Sequence, residues 1–196
     1  MGTDTPPRPK QGFLRSIRVG PGLLKWGINL WPPFLGAGIR VTRIAADFGE
    51  VTVALRMGLF NRNYVGTHFG GSLFSMTDPF FMLMMMHRLG RDYVVWDRAA
   101  TIDFLHPAKG TVTARFVLDA AMVDAVREAT AHGEKHLPTY TVEVIDADGT
   151  VCARVAKTLY IRKHPPGRSV SADLTNESNA PHDIHEKKHQ INKLTI

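Results

Sequence analysis

Asp78 stands inside GGSLFSMTDPFFMLMMM, residues 70–86, where nearly every other side chain is apolar or small. Taking a carboxylate out of water without a partner is costly, so an acid in such a run needs a reason. One reason is chemistry, as a nucleophile or a general base. The other is structural: Asp followed by Pro is a helix-start signal, and a kink at Pro79 would aim the side chain. Gly70 and Gly71 open the same run. Helix N-termini present unpaired N–H groups and partial positive charge, and glycine lets a substrate approach the backbone closely. The pair suits an anion, or a carbonyl whose oxygen turns negative during reaction.

Asp78 follows Gly71 by seven residues, which in a regular helix is roughly 10–12 Å further along on nearly the same face. It cannot then reach a group held at the start of its own helix. Two copies of that helix running antiparallel across a two-fold axis would bring Asp78 of one to the glycines of the other. The spacing therefore points to a site shared within a homodimer.

The elements that must position these groups follow from pattern. Residues 22–36 read as a short helix closed by Pro32-Pro33 and Gly36. IRVTRIAADF and EVTVALRM read as a hairpin joined around Gly49. After the loop NRNYVGTHFGG comes a long apolar helix over about 72–89, ended by Gly90 and apolar on nearly all sides, as for a helix enclosed by other structure. YVVWDRAATIDFL and GTVTARFVLDA read as strands, AMVDAVREATAHG as a short amphipathic helix, and TYTVEVIDADGTVCARVAKTLYIRK as a hairpin turning at Asp148-Gly149. The class is α+β: a mostly antiparallel sheet wrapped around one long central helix, with an extra N-terminal helix. Parts of such a sheet are left needing cover, which a dimer supplies. Met82, Met84, Met85 and Met86 read as core, or as an adaptable wall for an acyl chain. Trp26, Leu30, Trp31 and Phe34 read as cover for the sheet or a dimer interface, or as a lid or membrane-dipping face. Strand alternation puts Lys157 on the apolar face of the last strand, from which it is expected to snorkel to the sheet edge.

The whole chain of 196 residues, with 44% hydrophobic content, suits one globular domain over 21–164. Residues 1–20 read as a flexible arm, and 165–196 as a disordered polar tail too poor in apolar residues to fold alone. His185 and His189 in that tail have helical metal-ligand spacing but no accompanying ligands, so no metal and no separate cofactor are expected. The single cysteine, Cys152, leaves no intramolecular disulfide, and no signal sequence opens the chain, so a cytoplasmic protein is expected. No apolar stretch is long enough for stable membrane insertion. The net charge of +6 favours anionic partners, but the basic residues are scattered and no nucleic-acid motif accompanies them. An acidic small molecule accounts for the charge equally well.

GGSLFSMTD resembles the motif of the hot-dog-fold acyl-CoA thioesterases of the PaaI type, in which a glycine pair opens the central helix and an acid follows seven positions after the second glycine. TIDFLHPAKGTV, residues 101–112, is similar to that family's strand ending in an aromatic, a proline and a glycine. The similarity covers about 37–163. It implies hydrolysis of an acyl-CoA thioester without a metal, with coenzyme A present only as part of the substrate, in a homodimer or a dimer of dimers. By resemblance Gly71 polarises the carbonyl, Asp78 is the acid and Asn63 orients water or the thioester. Gly70, Phe69 and Ser72 flank the substrate, and Arg98 and Lys109, with Arg154 and Arg162, are candidate phosphate contacts. The family's histidine position holds Phe69 here, with His68 displaced by one. That departure, with the N-terminal helix, fits an under-characterised branch of the superfamily. It also leaves open a non-catalytic acyl-CoA or fatty-acyl binding protein, and a hot-dog hydratase or dehydratase.

Overall fold

The computed structural model describes residues 19–164; the tail expected over 165–196, and all but the last two residues of the arm, lie outside the described residues. In chain order the elements are α1 (Pro21–Leu30), α2 (Pro32–Ala37), β1 (Ile39–Ile44), β2 (Glu50–Arg56), α3 (Gly70–Ser75), α4 (Phe80–Leu89), β3 (Tyr93–Phe104), β4 (Thr111–Val117), α5 (Ala120–Ala129), β5 (Lys135–His136), β6 (Thr139–Ile145) and β7 (Val151–Lys163). One seven-stranded sheet runs β1-β2-β4-β6-β7-β3, with β5 paired to β7 off this path. Every pairing is antiparallel.

Alternation explains which face is dry. Val51, Val53 and Leu55 of β2 and Val112, Ala114 and Phe116 of β4 are buried, while the intervening residues of β4 are exposed. They pack on the apolar side of α4, where Phe80, Phe81, Met84 and Met85 are buried. The Phe80 and Phe116 rings lie 5.1 Å apart. Each such side chain contributes about 1.5–3 kcal/mol by leaving water. Met82 and Met86 pack against the same cluster, so this group of methionines is core. The last hairpin turns where expected: Gly149 has φ +85°, and Asp146 Oδ1 accepts from the Asp148 and Thr150 amides.

The N-terminal helical segment is two helices rather than one. Pro32 cannot continue α1, but its fixed φ starts α2, and the stop comes at Gly38, whose φ of +75° is open to glycine. α1 packs on β1, the strand at one end of the sheet. There Asn29 acts as a substitute neighbouring strand: its Oδ1 accepts from the Val41 amide at 2.7 Å and its Nδ2 donates to the Val41 carbonyl at 3.0 Å. Asn29→Ala leaves both backbone groups unpaired in a partly buried seam. We expect a loss of about 1–3 kcal/mol, measurable by urea unfolding; an unchanged midpoint would show that water replaces the amide freely.

The central helical segment spans 70–89 and is interrupted between Ser75 and Phe80, with a cis Asp78–Pro79 bond. The break expected at Pro79 is present, with α4 starting at Phe80, but Asp78 does not cap it. Pro79, not Asp78, precedes α4, and no side chain caps that helix.

Candidate functional site

The interruption turns Asp78 toward the sheet, where it meets Lys157. Nζ of Lys157 donates to Asp78 Oδ1 at 2.5 Å, and Asp97 Oδ1 stands 3.2 Å from the same nitrogen. The Lys157 side chain is only 3% exposed, against 22% for Asp97 and 49% for Asp78. The expectation that Lys157 snorkels to the sheet edge is therefore wrong. In β7 it pairs with Ala100 of β3 and Tyr140 of β6, so both flanks are covered, and its partners come to it inside. Asp97 pairs with Leu159 on the same face, next to a register shift in β3 between Asp97 and Ala99. The Phe74 ring, 5.9 Å from Nζ, completes the surround.

Two carboxylates thus share one ammonium. Burial pushes the Asp97 carboxyl above its ordinary range, the Lys157 cation opposes that rise, and the negative charge of Asp78 adds to it. Asp78 is the member open to a ligand. With Trp31, Pro33, Phe34, Phe74 and Ser75 it lines a cavity of about 250 Å³, so a carboxylate held by an ion pair faces a mainly apolar space. Such a combination suits an apolar group carrying one reactive polar bond. Among the described residues no group of three or more His, Cys, Asp or Glu is arranged to hold a metal; His185 and His189 fall outside them.

The glycine pair has a steric reason of its own. A Cβ on Gly71 would meet the Phe69 ring at 2.3 Å, and one on Gly70 would meet the Phe104 ring at 3.0 Å. Both rings are half exposed, each at 58%. The amides of Ser72 and Leu73 bond to the Phe69 carbonyl, and within the described residues those of Gly70 and Gly71 have no partner. No hydrogen bond joins Asp78 to either glycine of its own chain among these residues. Ser72 is buried, while Ser75 Oγ donates back to the Gly71 carbonyl.

Asn63 and His68 brace the approach loop. Asn63 Nδ2 donates to Thr67 Oγ1 and the His68 carbonyl, and its Oδ1 accepts from the Thr67 amide. His68 is buried, with Nε2 donating to the Gly110 carbonyl at 2.9 Å and its amide to Ala108. Burial holds its imidazole below the ordinary value of 6.5. The folded chain then resists protonation that the unfolded chain accepts, so stability is intact above about pH 6.5 and falls as pH drops below it. We expect the wild-type melting temperature to decline as pH falls below about 6.5, and His68→Gln to flatten that decline; parallel profiles would reject the assignment. Arg98 and Lys109 are exposed. Arg154 pairs with Glu143 at 2.8 Å, and Arg162 donates to the Gly133 carbonyl.

Three residues were missed from sequence. Lys157 was misread, Asp97 was not singled out, and Asn61, 3% exposed, ties the loop to the Ala37 and Arg56 carbonyls and the Gly58 amide. A lysine on an otherwise apolar strand face was the available signal. It asks for a buried carboxylate, and Asp78 was already in view.

Among curated proteins, none matches the sequence. Solved structures do. A protein of unknown function from Pseudomonas aeruginosa, described as a probable thioesterase, is similar with a TM-score of 0.63 at 21% identity, over 73% of this chain and 95% of that one. A thioesterase from Haemophilus influenzae is similar with a TM-score of 0.55 at 13% identity, over 75% and 93%. These likenesses establish the hot-dog fold. Residues 20–161 match the model of the family described as "Domain of unknown function (DUF4442)", and the chain belongs to that family.

Proposed function

We propose that this protein hydrolyses acyl-CoA thioesters, with Asp78 as the acting carboxylate. The observation that carries the reading is the half-exposed Asp78, fixed by a buried lysine, at the wall of an apolar cavity. The acyl group would lie in that cavity with the thioester carbonyl at the carboxylate. Asp78 either removes a proton from the attacking water or attacks the carbonyl carbon itself. In both cases the C–S bond breaks, the sulfur leaves as thiolate and takes up a proton, and water supplies the second oxygen of the released acid. Lys157 holds one oxygen of Asp78 and leaves the other to react.

The carbonyl oxygen would be polarised by the free amides of Gly70 and Gly71 of a second copy, which makes the working unit a homodimer. Two features support that assembly. Among the described residues β3 ends the sheet order with one edge unpaired, and the loop before α3 exposes Phe60 and Tyr64 almost fully. Phe69 and Phe104 would then wall the thioester, and Arg98 and Lys109 remain the uncommitted cations for coenzyme A phosphates. The engagement of His68 with the Gly110 carbonyl favours hydrolysis over the hydratase reading, which wants a free histidine beside its acid.

The test is a panel of acyl-CoA esters monitored for free thiol. Release of thiol with at least one ester supports the proposal. Binding without release would select the non-catalytic acyl-CoA binding protein, and water addition to a crotonyl-type ester would select the hydratase.

A further inference from the structure

We propose that the outer face of α1 and its turn into α2 seats the protein on an anionic lipid surface. In α1, Leu24 and Ile28 turn toward the body of the protein and Asn29 is tied to β1, which fixes the rotation of the helix. Leu23, Trp26 and Leu30, spaced by three and four, then form one outward stripe, 62%, 64% and 49% exposed. Leu35 extends it, 57% exposed, while Trp31 beside it belongs to the wall of the Asp78 cavity. Leucine and tryptophan together on the outside of a short helix match the residue types that settle at the boundary between lipid headgroups and acyl chains.

Charge selects the occupant. Between Asp4 and Asp47 the chain carries no carboxylate side chain, whereas Arg8, Lys10, Arg15, Arg18 and Lys25 fall just before or within α1. An acid-free basic stretch joined to an apolar stripe complements anionic headgroups above hydrocarbon. A second copy of this chain offers the same acid-free basic stretch and no opposite charge to it. No helix among the described residues is long and apolar enough to cross a membrane, so the contact is adsorption and not insertion. The face also lies on β1, at the opposite end of the strand order from the free edge of β3, so pairing through β3 does not require it.

The experiment is co-sedimentation of the full chain with vesicles of phosphatidylcholine alone and of an equimolar mixture with phosphatidylglycerol, at low and high salt. We expect binding to the mixed vesicles, weakened by salt, with little on phosphatidylcholine alone. A Leu23→Ser, Trp26→Ser double variant should lose at least about tenfold in partitioning while keeping the wild-type circular dichroism and melting temperature. Absence of the wild type from mixed vesicles, equal binding to both lipids, or full binding by the folded double variant would overturn the proposal. So would a fall in assembly size on introducing the double variant, because a second copy would then cover the face.

Discussion

Asp78→Asn should lower kcat for thioester hydrolysis by roughly 10²–10⁴, the range ordinarily lost with a general base. The substitution suits the question because asparagine keeps the shape of the side chain and an oxygen for Lys157 Nζ to reach. Asp78 is half exposed, so its neutralisation leaves no new buried charge, and Lys157 retains Asp97 at 3.2 Å. The fold should survive, and the lost rate then reports chemistry. Thiol release from the best ester of the panel measures it. A variant that turns over as fast as wild type removes Asp78 from the mechanism.

Lys157→Met should cost about 3 kcal/mol of stability, the lower end of what is lost when one partner of a buried ion pair is removed. Methionine fills the space of the lysine stem, so packing is largely kept. What is lost is the cation that bridges Asp78 and Asp97, and of these Asp97 has little access to water. Urea unfolding measures the loss, and two controls separate charge from packing. Adding Asp97→Asn to the variant should recover much of the deficit, since no stranded carboxylate remains. Lowering pH should do the same. The Asp97 carboxyl is already pushed upward by burial, so the folded variant holds a proton that the unfolded chain has released, and its deficit relative to wild type at the same pH shrinks as pH falls. A Lys157→Met protein as stable as wild type at every pH would show that the triad contributes nothing net.

Much of the fold was readable because local rules decided it. Alternation placed β2, β4, β6 and β7, and Asp148-Gly149 marked the tightest turn. The interruption of the central helix was readable as well, since Asp78-Pro79 carries it in two letters. What escaped depends on distant partners. Asn29 looks like an ordinary polar helix residue until Val41 of an edge strand is set beside it. The end of the N-terminal helix was misread because two prolines can start a helix as readily as they stop one. At the site, the acid was legible as a carboxylate in an apolar run, but its counter-charge was not. Lys157 is separated from Asp78 by 79 positions, and the register shift beside Asp97 that completes the cluster has no signature in composition. The glycine pair was legible as a need for closeness, but the rings of Phe69 and Phe104, not only a ligand, impose it.

In the proposed reaction Asp78, clamped by Lys157, acts on a thioester carbonyl lodged between two copies of the chain. A crystal structure with a non-hydrolysable acyl-CoA thioether tests it most directly. The account expects the acyl group in the Trp31, Phe34 and Phe74 cavity and the carbon beside sulfur about 3–3.5 Å from the free oxygen of Asp78 or from a water that it holds. It also expects the Gly71 amide of a second copy to face the same carbon. An analogue seated elsewhere, with Asp78 still paired to Lys157 and facing no ligand atom, would contradict it.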